Sequence, residues 1–142
     1  MGMYTGLKMC FSLKSDTPAE IIDILKIMVG ETAVNTNVIA ATHPLFQTTR
    51  WPIMLRCQSA IFPECNTGSF SVRLSEPADW SYGLNTTSSF KNYDDELEKF
   101  LNWIAPYADV DAQGYAGEYR YEENANWTSF SFVNGQVVHE EE

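Results

Sequence analysis

Basic residues are scarce in this chain. Nine lysines and arginines stand against 19 aspartates and glutamates in 142 residues, a formal charge of −10, which opposes direct contact with nucleic-acid phosphates or anionic membrane surfaces. Any charged partner should therefore be basic. The same charge also serves solubility, and an acidic protein seated in the groove of a nucleic-acid-binding protein would mimic its ligand. Cysteine is limited to Cys10, Cys57 and Cys65, an odd number with no C-x-x-C pair, which points away from a disulfide framework and from a zinc cluster. Histidine is limited to His43 and His139, so a Ser-His-Asp or Cys-His arrangement would have to recruit one of them, and no G-x-S-x-G elbow is present. The eight glycines are dispersed and form no phosphate cradle between a strand and a helix. No apolar run spans a bilayer, since Ile21 to Val29 is interrupted by Asp23 and Lys26. The first residues, MGMYTGLKMCFSLK, alternate around Lys8 and lack the continuous apolar core of a secretory signal. These absences lead us to expect an intracellular protein that is not an enzyme and takes no cofactor and no metal.

Hydrophobic residues make up 44% of the chain and aromatics 13%, enough apolar surface to offset the ordering entropy of one domain of this length. Leu7, Met9, Phe11 and Leu13 alternate with polar positions and predict a strand. Thr17, Pro18 and Glu20 read as a capping box before a helix whose apolar stripe is Ile21, Ile24, Leu25 and Met28, ending at Gly30. Residues 31 to 49 read as a long loop. Ile53 to Ile61 predicts a second strand, Phe70 to Leu74 a third and Trp80 to Thr86 a fourth. A second helix is predicted from Asn92, with Asp94, Asp95 and Glu96 in its first turn and the stripe Leu97, Phe100, Leu101 and Ile104 facing the sheet. Gly114 to Glu122 and Trp127 to Val133 read as strands, and Asn134-Gly135 as a hairpin turn. Residues 139 to 142 are expected to be a solvated acidic tail. The order β-α-βββ-α-βββ predicts a single α+β domain over residues 1–142, with a mostly antiparallel sheet, both helices on one face and a ferredoxin-like relation.

Within this frame the residues suited to contact are aromatic and charged. Arg50 and Trp51 lie together at the mouth of the predicted second strand, and arginine and tryptophan are residue types that dominate interface hot spots. Asp94, Asp95 and Glu98 form an acidic patch at the start of the second helix; they lack the glycine and spacing of a calcium loop. In GYAGEYRYEE, period 2 puts Tyr115, Gly117, Tyr119 and Tyr121 on one face and Ala116, Glu118, Arg120 and Glu122 on the other. The tyrosine face should pack under a helix and the charged face should be solvated. Tyr121, Glu122 and Glu123 are the best placed of this stretch for a partner.

The segments HPLF, RWPIMLRC, KNYDDELEKFLNWIAPY and GYAGEYRYEE, from His43 to Glu123, resemble a group of small acidic proteins encoded by bacteriophages and prophages. The resemblance implies a mobile-element accessory protein in the bacterial cytoplasm that inhibits a defence component by direct contact, of the anti-CRISPR or anti-defence type. It implies no catalytic residues. The expected partner is a host protein with a basic surface, with neither nucleic acid nor membrane bound directly, and a homodimer is a further arrangement the composition allows. Two alternatives share these features: a sponge that traps a signalling nucleotide, in which Arg50, Arg56 or Arg73 would meet phosphate and an aromatic ring would stack on the base, and a toxin-immunity protein.

Overall fold

A computed structural model describes residues 4–32, 43–59, 62, 68–73, 81–109 and 115–141. Its centre is β1 (Tyr4–Leu13), whose alternation places Thr5, Leu7, Met9, Phe11 and Leu13 on a buried face. Helix α1 (Ala19–Met28) follows, then β2 (Gly68–Arg73), β3 (Ser81–Lys91), α2 (Glu96–Ile104), a short β4 (Ala108–Asp109), β5 (Tyr115–Tyr121), β6 (Thr128–Val133) and β7 (Gln136–Glu141). The sheet runs β2-β3-β1-β5-β6-β7, with β4 added beside the end of β1, and every pairing is antiparallel. The fold is α+β, as expected. The elements β1-α1-β2-β3-α2-β5, with β1 between β3 and β5, form the split β-α-β arrangement, and the β6–β7 hairpin extends one edge. Its turn has Asn134 at φ 52° and Gly135 at φ 77°, the pair of left-handed residues that a type I′ turn needs.

Both helices serve the same face. Ile24, Leu25 and Met28 of α1 and Leu97, Phe100, Leu101 and Ile104 of α2 join Leu7, Met9, Phe11 and Leu13 in one buried cluster, each large side chain contributing about 1.5–3 kcal/mol by leaving water. Among the described residues no helix is long and apolar enough to cross a membrane.

Four local expectations are corrected. No strand forms at Ile53; residues 51–56 wind through successive turns, with the Ile53 amide donating to the Arg50 carbonyl at 3.1 Å and the Arg56 amide to the Ile53 carbonyl at 3.0 Å. The buried positions there are Trp51, Met54 and Leu55, whereas Ile53 is 39% exposed, so the spacing that packs is three and four, not two. Residues 60 and 61, Leu74 and Trp80 lie outside the described residues. The capping box of α1 is not made, because the Thr17 hydroxyl turns back to donate to the Lys14 carbonyl at 2.6 Å. The acidic tail is not a tail: β7 runs to Glu141, paired with Thr128 of β6.

The fourth correction concerns the two faces of β5. A bulge between Tyr115 and Gly117 sets two residues against one on β6, so Ala116 is fully buried and Tyr115 is 57% exposed. Gly117 is required here, since a Cβ would lie 2.2 Å from the Lys8 carbonyl oxygen and 2.8 Å from the Phe130 ring. Arg120, expected in a solvated row, lies 4.8 Å from the Phe62 ring centre and 5.6 Å from that of Trp127, which Lys8 also approaches at 4.5 Å. Phe62 itself is fully buried and takes the space opened by Gly6, where a Cβ would meet its ring at 2.7 Å. These residues make a small second layer on the sheet face opposite the helices.

Candidate functional site

The chain between β3 and α2 is held from several directions. The Asn92 side-chain oxygen accepts the Leu97 amide at 2.9 Å, the Asp94 amide donates to Glu96 Oε1 at 3.0 Å, the Thr49 amide reaches Asp94 Oδ2 at 3.4 Å, and Lys99 Nζ donates to the Asp94 carbonyl at 2.7 Å. Asp95 adopts the left-handed region at φ 56°, which aspartate tolerates better than most residues. The helix proper therefore starts at Glu96, and Asp94 and Asp95 precede it instead of filling its first turn. The outcome of this bracing is that Tyr93 stands 52% exposed at the surface.

Glu96 is fully buried, with Oε2 at 3.7 Å from Arg50 Nη1. A buried carboxylate needs such a partner. The same guanidinium lies 5.1 Å from the Tyr93 ring centre, within cation–π range. Arg50 thus connects the turn region after the Pro44–Gln47 3-10 helix to the entry of α2. Its neighbour Trp51, expected as a contact residue, is 3% exposed and meets Phe46 edge-on at 4.9 Å; it belongs to the core and is not a contact residue.

The end of β5 faces this loop. The Glu122 amide donates to the Tyr4 carbonyl at 2.9 Å and its carboxylate accepts the Tyr4 amide, which fastens the start of β1. Asn124 folds back, its amide donating to the Tyr121 carbonyl at 2.9 Å and its carbonyl accepting from Arg120 Nη1 at 2.6 Å. Tyr119 is tilted against Phe130 at 6.1 Å, and its hydroxyl is 2.8 Å from His139 Nδ1.

Between the two lies a pocket of about 490 Å³, walled by Tyr93, Tyr119, Tyr121, Asn92, Asn124, Leu97, Thr5, Thr128 and Arg120, the last the one charged residue among the described residues of its lining. Burial raises the ionisation of the Tyr121 hydroxyl above its ordinary value of 10, and Glu123, Glu122 and Tyr93 raise it further. The arrangement offers π faces, hydroxyls and amides, a chemistry of binding.

Of the residues singled out from sequence, Arg50, Tyr121 and Glu122 are part-buried here, and Asp94, Asp95, Glu98 and Glu123 are exposed. Sequence reasoning missed Tyr93, Asn92, Asn124 and Tyr119 as pocket walls. A hint lay in NYDD, where an aromatic residue sits among turn-forming ones, a position with no core to fill. No family model, no curated protein and no solved structure matches the chain.

Proposed function

We propose that this protein binds a basic bacterial protein through the acidic rim of this pocket and acts as a phage-borne inhibitor of a defence component. One observation carries the reading. Two segments far apart in sequence wall the same pocket, Asn92, Tyr93 and Leu97 on one side and Tyr119 and Tyr121 on the other, and each carries carboxylates beside those residues in the chain, Asp94, Asp95 and Glu98 on the first and Glu122 and Glu123 on the second. A converging rim of one sign steers an opposite surface and fixes its register. The rim is a protein-contact surface and not a nucleic-acid surface, because its charge repels phosphates.

The test is capture from lysate of a bacterium carrying several defence systems, with wild type and the variant D94N/D95N/E98Q/E123Q compared by mass spectrometry. A stoichiometric basic protein should be held by the wild type and weakened about fourfold or more in the variant, as four charges at about 0.2–1 kcal/mol each would give. A partner held equally by both proteins would refute the acidic rim as its contact.

A further inference from the structure

The pocket between the entry of α2 and the end of β5 has a polarity that selects its occupant. Its aromatic walls are Tyr93, Tyr119 and Tyr121, and tyrosine faces attract cations through the ring quadrupole. Arg120 is the one charged residue among the described residues of the pocket's lining, and it and the neighbouring cations Arg50 and Lys99 each have partners within the protein. Arg120 Nη1 donates to the Asn124 carbonyl at 2.6 Å and approaches that of Glu122 at 3.4 Å, with its guanidinium over Phe62 and Trp127. Arg50 lies beside buried Glu96, and Lys99 donates to the Asp94 carbonyl. At the start of α2 the Leu97 amide is taken by Asn92, and Glu96 and Glu98 occupy the first turn. The protein also displays its own example of what the site holds: the Arg50 guanidinium, against the Tyr93 ring and 3.7 Å from a carboxylate oxygen.

From this geometry we infer that the tyrosine pocket is a cation-binding subsite, which receives the ammonium or guanidinium group of one lysine or arginine side chain of the partner protein. The inference rests on the acidic-rim reading and deepens it. The rim draws a basic surface in, and the pocket takes a single alkyl-borne cation, its chain against Leu97 and its charged head against the tyrosine rings. A volume of about 490 Å³ accommodates such a side chain with room to spare, within the range of ordinary ligand sites.

Labelled oligolysine and oligoarginine peptides serve as probes, with binding followed by fluorescence anisotropy to the full chain and to the variants Tyr93→Ala, Tyr93→Phe and D94N/D95N/E98Q/E123Q. Because Tyr93 is more than half exposed, its replacement should leave the melting temperature close to wild type. Tyr93→Ala should weaken binding about tenfold and Tyr93→Phe about twofold or less, the difference that a desolvated cation–π contact makes; peptides with acetylated lysines should not bind. Equal affinity of Tyr93→Ala and wild type would overturn the subsite, while loss in the four-fold charge variant alone would keep the rim. Failure of the wild type to bind either peptide would overturn both. A free alkyl diamine that binds as tightly as the peptides would overturn the side-chain source, and stabilisation by a cyclic nucleotide in place of the peptides would overturn the cationic occupant.

Discussion

Arg50 and Trp51 are adjacent in the chain and belong to opposite kinds of aromatic surroundings. On the Trp51 side, Phe46 stands edge-on to Trp51 at 4.9 Å and to Trp103 at 5.5 Å, and Trp103 meets Phe100 at 5.9 Å. All four rings are buried. On the Arg50 side, Tyr93, Tyr119 and Tyr121 are more open, keep their hydroxyls and line a cavity instead of filling one. The contrast shows what the hydroxyl does. Phenylalanine and tryptophan close up into a dry cluster that yields stability through area and edge-to-face contact, whereas tyrosine carries a polar end that favours a wet boundary. The chain step from Trp51 to Arg50 joins the two, since Arg50 reaches the Tyr93 ring at 5.1 Å.

The sharpest way to break this comparison is Phe46→Ala. Truncating a ring that touches two tryptophans should cost about 3–5 kcal/mol, the range for large buried aromatics, read as a lower urea midpoint of two-state unfolding. Basic-peptide binding by the fraction that stays folded should be unchanged. A loss below about 1 kcal/mol would mean that the cluster collapses around the gap and is not rigidly packed.

Arg50→Ala probes the connection between the two regions. It removes the cation nearest buried Glu96 and the guanidinium over Tyr93 together. Stripping a buried carboxylate of its partner is costly, but the Arg50 side chain is 30% exposed, so solvent screening reduces the effect to about 1–2 kcal/mol. Adding Glu96→Gln should recover part of that loss, because a neutral amide needs no counter-charge; a double-mutant cycle reads the coupling. Strict additivity of the two substitutions would show that Arg50 and Glu96 do not interact.

The elements whose periodicity is long or whose turn chemistry is strict were legible in the chain: β1, the apolar stripe of α2, and the Asn134-Gly135 hairpin all lie where their patterns put them. Asp94, Asp95, Glu98 and Glu123 were legible as exposed because carboxylates stay in water unless they are paired, while Arg50, Tyr121 and Glu122 turn out part-buried. What was not legible depends on long-range packing. Nothing local says that Glu96 is buried while its neighbours Asp95 and Glu98 are exposed, since that is decided by Arg50, 46 positions earlier in the chain. The bulge at Ala116 reverses the facing of Tyr115, and its cause is the close approach of β1 and Phe130 to Gly117. Period 2 read Ile53 to Ile61 as a strand because a six-residue window with apolar residues at 51, 54 and 55 also satisfies a turn-rich path, and tertiary packing chose the latter.

The smallest expected effect is a pH dependence on the closed side. His43 opens the Pro44–Gln47 turn, and its Nδ1 accepts the Leu45 amide at 3.1 Å, a bond that only the unprotonated nitrogen can make. Burial lowers its ionisation below the ordinary 6.5. The folded state therefore prefers neutral imidazole, and the sign follows: this contribution is fully present above the unfolded value and is lost as pH falls through the lower folded one. His43→Asn keeps a side-chain acceptor for the turn and removes the titration. Urea midpoints of wild type should fall more steeply than those of His43→Asn between about pH 7 and 5, and because His139 is present in both proteins the difference isolates His43. Peptide binding at the tyrosine pocket should follow the same pH curve in the two proteins. Parallel stability curves would mean that protonated His43 is accommodated without breaking the cap, and the boundary between the closed and open regions would then not begin at this turn.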